Sequence, residues 1–142
     1  MHDLKLDSRR TELKTQGEIE SALCDGIRRI EQGFMGRGPT NIRAHLIGDL
    51  VIIRLAGVLT VAEQHLAQTL PGARGRDLIK QVRSHLFETA RPLLEAAIIE
   101  ATSVNAVSLH HDISTITGEK VIVVTLAEAP RCRVLKKPAN WE

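Results

Sequence analysis

Two stretches of this chain nearly repeat each other. Gly48-Asp49-Leu50-Val51-Ile52-Ile53 returns 70 residues later, about half the chain, as Gly118-Glu119-Lys120-Val121-Ile122-Val123. Each copy reads as a turn followed by a β-rich apolar strand, and each follows a helical segment. A duplicated helix–strand–strand unit inside one small domain accounts for the pattern. It assigns most of the sequence to architecture and leaves few residues for chemistry.

A length of 142 residues suits one domain. It is enough to bury a core without disulfide or metal staples. Hydrophobic residues make up 43% and aromatic residues only 2%, so the core must be built from Ile, Leu, Val and Ala. The net charge of +2 sets up no strong field for nucleic acid or membrane. Cys24 and Cys132 stand alone with no CxxC, so neither a disulfide framework nor a zinc knuckle is indicated. Residues 1–16 read as a polar lead-in without the apolar stretch of a signal peptide. No run approaches the ~18 apolar residues of a membrane span. The expected location is cytoplasmic, or peripheral to the inner face of a membrane.

From Glu18, the spacing of Ile19, Leu23, Ile27, Ile30 and Phe34 predicts a helix, stopped by Gly36-Arg37-Gly38-Pro39. Asn41 to Leu46 reads as a strand with Ile42, Ala44 and Leu46 on one face. A tight turn at Ile47-Gly48-Asp49 leads into a return strand from Leu50 to Gly57. The continuous run Leu50 to Ile53 predicts a central strand covered on both faces, or one with a face left for another subunit. Thr60-Val61-Ala62-Glu63 has the form of a capping box opening a short helix to about Thr69. A loop at Pro71–Gly75 precedes a second long helix from about Arg76. Its expected stripe is Ile79, Val82, Leu86, Ala90, Leu93, Ala97 and Ile98, with a kink or break at Pro92. Val104–His110 and Lys120–Leu126 read as strands around a polar turn from Asp112 to Glu119. The expected fold is α+β: duplicated α-β-β units giving a four-stranded antiparallel sheet with two long helices on one face. The domain spans 17–128 and a basic tail covers 129–142. The bare face of the sheet needs water, the tail or another subunit, and a homodimer is expected.

Five segments carry a resemblance: Gly36-Arg37-Gly38-Pro39, His45-Leu46-Ile47-Gly48-Asp49, Gly57-Val58-Leu59-Thr60, Asp112-Ile113-Ser114-Thr115 and Thr117-Gly118-Glu119. In this order and spacing, from about Gly17 to Leu126, the chain resembles the MpsC family. That is a bacterial domain named for a system linked to membrane potential, sodium and inorganic carbon uptake. The resemblance implies an accessory protein beside a membrane transport or energising complex. It brings no catalytic residues with it. The tail after Ala129 and the length of the loop Pro71–Gly75 depart from the family pattern.

The residues with chemistry to offer are few. His110, His111 and Asp112, with His45 from the first hairpin, contain zinc-ligand types. Adjacent strand residues point to opposite faces, however, and Asp112 serves equally as a turn former, so no metal site is assigned. Asp112, Ser114, Thr115 and Thr117 could cradle an anion or a partner's backbone, although hydroxyls are ordinary in such turns. Ser114 with His110 and Asp112 lacks a nucleophile elbow. Arg37 lies in a segment that resembles part of a phosphate loop but lacks the Gly-Lys-Ser/Thr ending. Arg76, Lys80 and Arg83 share a helix face. With Arg131, Arg133, Lys136 and Lys137 they could form a basic patch, a solvated face being the plainer reading. Nucleic acid is disfavoured because Phe34, Phe87 and Trp141 are the only aromatic platforms. The expected function is a non-enzymatic accessory subunit of an ion or inorganic-carbon transport system, without a cofactor. The rivals are a ligand- or metal-binding sensor using His45, Asp49, His110 and Asp112, and a nucleic-acid binder using the basic helix and tail.

Overall fold

The computed structural model describes residues 13–134. The chain forms α1 (Gln16–Met35), β1 (Asn41–Ile47), β2 (Leu50–Ala56), α2 (Val61–Thr69), α3 (Arg74–Thr102), β3 (Ala106–Ile113) and β4 (Lys120–Leu126). The four strands make one antiparallel sheet in the order β1-β2-β4-β3. This is the expected α-β-β order, twice over.

Alternation along the strands decides which face is covered. Ile42, Ala44 and Leu46 of β1, Val51, Ile53 and Leu55 of β2, Leu109 and Ile113 of β3, and Ile122, Val124 and Leu126 of β4 are buried. They form one core with Ile19, Leu23 and Ile27 of α1 and Ile79, Phe87, Leu94 and Ile98 of α3. Each such side chain contributes roughly 1.5–3 kcal/mol on leaving water. Leu50 and Ile52 remain half-exposed on the opposite face, so β2 is central but, among the described residues, covered on one side only.

The near-repeat of sequence is out of phase with the pleat. At the offset of 70, Val51 corresponds to Val121, yet Val51 is buried against the helices and Val121 lies half-exposed on the other face. The turns explain the slip. Gly48 and Asp49 make a two-residue hairpin loop, with Gly48 at φ 62. A positive φ at the first turn residue alone marks the II′ form favoured between twisted strands. The second hairpin spans the wider segment Ser114–Glu119, and a one-residue change of register exchanges the faces.

Several boundaries move. The helix α1 begins within the expected lead-in, because Thr15 caps it. The Thr15 hydroxyl accepts the Glu18 N–H at 3.2 Å, and the Glu18 carboxylate accepts the Thr15 N–H at 3.0 Å. The helix α3 begins at Arg74, two residues before the expected start, and runs unbroken through Pro92. Its buried line is Ile79, Arg83, Phe87, Ala90, Leu94, Ile98 and Ala101, whereas Val82 and Leu93 are exposed. The strand β3 starts later and ends later than expected, which puts Asp112 on the strand rather than in the turn. Residues 129–134 form no regular element, but Pro130 is buried and the Arg133 N–H donates to the Lys14 carbonyl at 2.8 Å.

Candidate functional site

Three connections meet at one end of the sheet: the link from α1 to β1, the link from β2 to α2, and the β3–β4 turn. The Val58 N–H donates to the Gly118 carbonyl at 3.1 Å, stitching the second link to the turn. Arg37, exposed, donates from Nη1 to the Leu59 carbonyl at 3.3 Å. Thr60 caps α2 as expected, its hydroxyl accepting the Glu63 N–H while Glu63 accepts the Thr60 N–H.

The carboxylate of Glu63 also receives both ends of a fork. Arg83 Nε and Nη2 each lie 2.7 Å from its oxygens, and Nη2 lies 2.8 Å from the Val58 carbonyl. Arg83 is 2% exposed, and its Nη1 is buried without a hydrogen-bond partner among the described residues. Burial pushes the Glu63 carboxyl up, but the Arg83 and Thr60 hydrogen bonds outweigh it and hold it below the ordinary range. Arg83 is therefore a fastener between α3, α2 and the β2–α2 link, and not a member of a basic patch.

The hydroxyls of the β3–β4 turn serve the turn itself. Ser114 Oγ accepts the Thr117 N–H at 3.1 Å, and Thr117 Oγ1 accepts the Glu119 N–H at 3.2 Å. Between this turn and α2 lies a neutral cleft of about 120 Å³ lined by Leu59, Gln64, Gln68, Thr115, Ile116 and Thr117. Small-molecule pockets generally run from about 300 Å³ upward, so this cleft is small for a cofactor.

The outer face of the sheet is the second candidate. Across it run three rows: Arg43, Arg54, Val121, Asp112; then His45, Ile52, Val123, His110; then Ile47, Leu50, Thr125, Ser108. Leu50, Ile52, Val121 and Val123 are half-exposed in the middle, and Ile47 is exposed at the edge. Arg54 pairs with Glu119 at 2.9 Å. Arg43, directly opposite Arg54, makes no ion pair among the described residues.

The expected ligand set does not assemble within one chain. His45 and His110 lie on opposite edge strands, three strand spacings or about 14 Å apart. Asp49 sits at the far end of the sheet, where its carbonyl accepts the Leu126 N–H. His111 points to the helices and stacks on Phe87, ring centres 3.9 Å apart. Among the described residues no three His, Cys, Asp or Glu side chains are placed to hold a metal ion. Asp112 Oδ1 accepts from Lys80 Nζ at 3.0 Å and from the Ile113 N–H at 2.8 Å, which lowers its pKa. With Ser114 spent on its turn and His110 on the outer face, no triad forms.

Nor does the basic patch come together. Arg83 is buried, Lys80 is paired with Asp112, and Arg76 lies 3.4 Å from Asp77. Arg133 pairs with Glu18 at the start of α1, the end of the molecule away from the start of α3. Arg131 is exposed, and Lys136 and Lys137 lie outside the described residues.

Two ion pairs have no clear sequence signature of their own: Glu31–Lys120 at 2.6 Å, buried on both sides, and Glu63–Arg83, in which Arg83 is buried and Glu63 half-buried. A partial signal exists for one. Arg83 falls midway between Ile79 and Phe87 at helical spacing, on the line that faces the core.

The family model described as "Na+-translocating membrane potential-generating system (MpsC)" matches residues 15–128. That interval takes in both caps, the whole sheet and all three helices. This chain belongs to the MpsC family. It is also similar to the "Uncharacterized protein YbcI" of Bacillus subtilis (strain 168), with 34% identity over 113 residues, covering 80% of this chain and 89% of that protein. No solved structure matches it. Among the described residues, no MpsC-domain helix is long and apolar enough to cross a membrane.

Proposed function

We propose that this MpsC-family protein is a non-enzymatic accessory or regulatory subunit of a membrane ion or inorganic-carbon transport system. It works from the cytoplasm, at or near the inner face of the membrane, by protein–protein contact. One observation carries the reading. The family description names an ion-translocating, membrane-potential-generating system and covers 15–128, yet no described helix can supply a membrane path. A role in such a system then runs through contact with a membrane-embedded component. The polar side chains give supporting weight: Ser114, Thr117, Asp112, Glu63 and Arg83 are engaged in holding the fold.

The test is crosslinked co-purification of the full chain from native membranes, with the bound proteins identified by mass spectrometry. Enrichment of a membrane-embedded ion or bicarbonate transporter over an unrelated bait of similar size and charge supports the reading. Recovery of the bait alone, from crosslinked and uncrosslinked membranes alike, sinks it.

A further inference from the structure

We infer that the outer face of the sheet is a self-complementary interface for a second copy of this chain, with a two-fold axis parallel to the strands. The inference does not rest on the transport reading. A four-stranded sheet with an apolar centre on its open face needs a second layer. Leu50, Ile52, Val121 and Val123 form that centre, and Ile47 extends it at 61% exposure.

The charges argue for a second copy as the occupant. Arg43 and Arg54 sit directly opposite each other on neighbouring strands, a repulsive arrangement unless a counter-charge is near. Glu119 answers Arg54, and Arg43 is left without an ion-pair partner among the described residues. Asp112 lies in the same row at the other edge of the sheet; its Oδ1 takes Lys80 and the Ile113 N–H, which leaves its second carboxylate oxygen for Arg43. Rotation about an axis running between β2 and β4, along the strands, lays β1 over β3 of the other copy and β2 over β4. Arg43 then meets the second copy's Asp112, Arg54, already paired with Glu119, meets Val121, Ile52 meets Val123, His45 meets His110, and Leu50 meets Thr125. Every such pair occurs twice, as a closed two-fold interface requires. A two-fold axis across the strands instead sets Arg43 over Ile47 and Arg54 over Leu50, with no carboxylate opposite either. Of these two axes, the one along the strands is favoured because it brings a carboxylate to Arg43.

Size sets the expected strength. Four strands of about seven residues cover about 19 Å by 23 Å, or about 440 Å² per copy before side-chain relief. Both copies together bury about 900 Å² or somewhat more, at the low end for a specific interface. A reversible dimer with micromolar affinity follows.

The test is sedimentation velocity of the purified full chain from about 1 to 200 μM, with circular dichroism confirming that each variant is folded. The wild type is expected to pass from monomer to dimer across this range. Arg43→Asp and Asp112→Arg are each expected to weaken the dimer about tenfold or more, since each places two like-charge contacts in it. The double variant R43D/D112R restores the pairing with charges exchanged and should recover most of the affinity. Ile52→Asp should abolish the dimer without touching any charge pair. A wild type that stays monomeric at 200 μM overturns the inference. So does a dimer indifferent to Ile52→Asp, or a double variant no tighter than the single ones.

Discussion

Lys120, the first residue of β4, is 3% exposed, and its Nζ lies 2.6 Å from Oε1 of Glu31 on α1, itself 5% exposed. Eighty-nine residues of sequence separate them. The ammonium also sits 5.5 Å from the centre of the Phe87 ring. Removing either partner leaves a buried charge without a counter-ion, at a typical cost of about 3–5 kcal/mol. Glu31→Leu and Lys120→Met should each lower stability by that order in urea denaturation. The pair replaced together, Glu31→Leu with Lys120→Met, should regain most of it, because an apolar pair needs no compensation. Additive losses in the double variant would show that the ion pair is not the coupling.

The helix α2 buries no residue of its own. Its attachment depends on the Glu63–Arg83 fork and on close backbone contact with α3. Lysine cannot make the two-pronged contact or reach the Val58 carbonyl at the same time. Arg83→Lys should therefore cost about 2–3 kcal/mol, the scale of lost charge-assisted hydrogen bonds. Amide exchange should accelerate chiefly in 61–69, ahead of the sheet. Uniform acceleration over the whole chain would place Arg83 in the global core instead.

The strands are legible because β1 alternates cleanly, β2 and β4 are apolar runs of strand length, and the turns contain glycine. Ile42, Ala44 and Leu46 announce one buried face, and Lys120–Leu126 was placed to the residue. The cap at Thr60–Glu63 is equally visible, whereas Thr15–Glu18 carries the same chemistry inside a charged lead-in that masks it. Hydrophobicity alone puts Val82 and Leu93 on the α3 stripe, yet both are exposed. The true line passes through Arg83, which only its tertiary partners make compatible with burial. The scatter of His45, Asp49 and His110 over two edges and two ends followed from strand order. Sequence does not state strand order, since β1-β2-β4-β3 arises only when the two hairpins meet.

Gly75 and Gly33 test close packing against helix propensity. A Cβ on Gly75 would run into the Leu66 carbonyl oxygen where α2 crosses α3. The clash is with backbone, which cannot swing aside, so Gly75→Ala should destabilise by about 1–3 kcal/mol, the usual cost of overpacking. Gly33 lies in α1 with open space around its Cβ position. Gly33→Ala should stabilise by up to about 1 kcal/mol from helix propensity alone. Opposite signs in thermal melts confirm the contact, and a neutral Gly75→Ala would mean that α2 rides loosely on α3.

His111 sets the onset of acid sensitivity. Burial lowers its pKa below the ordinary 6.5, and the Lys120 charge lowers it further. The folded protein thus prefers the neutral imidazole stacked on Phe87, while the unfolded chain takes up its proton near the ordinary value. The unfolded state binds more protons in this window, so stability is full above about pH 6.5 and is lost as pH falls through the folded value. Glu63 and Asp112, both with lowered pKa, add the same sign of effect further into acid. Urea midpoints measured from pH 7.5 to about 2 should therefore fall in two stages. His111→Phe keeps an aromatic stack and removes the titration, so the first stage should flatten while the second remains. Persistence of the first stage in His111→Phe would assign it to another group.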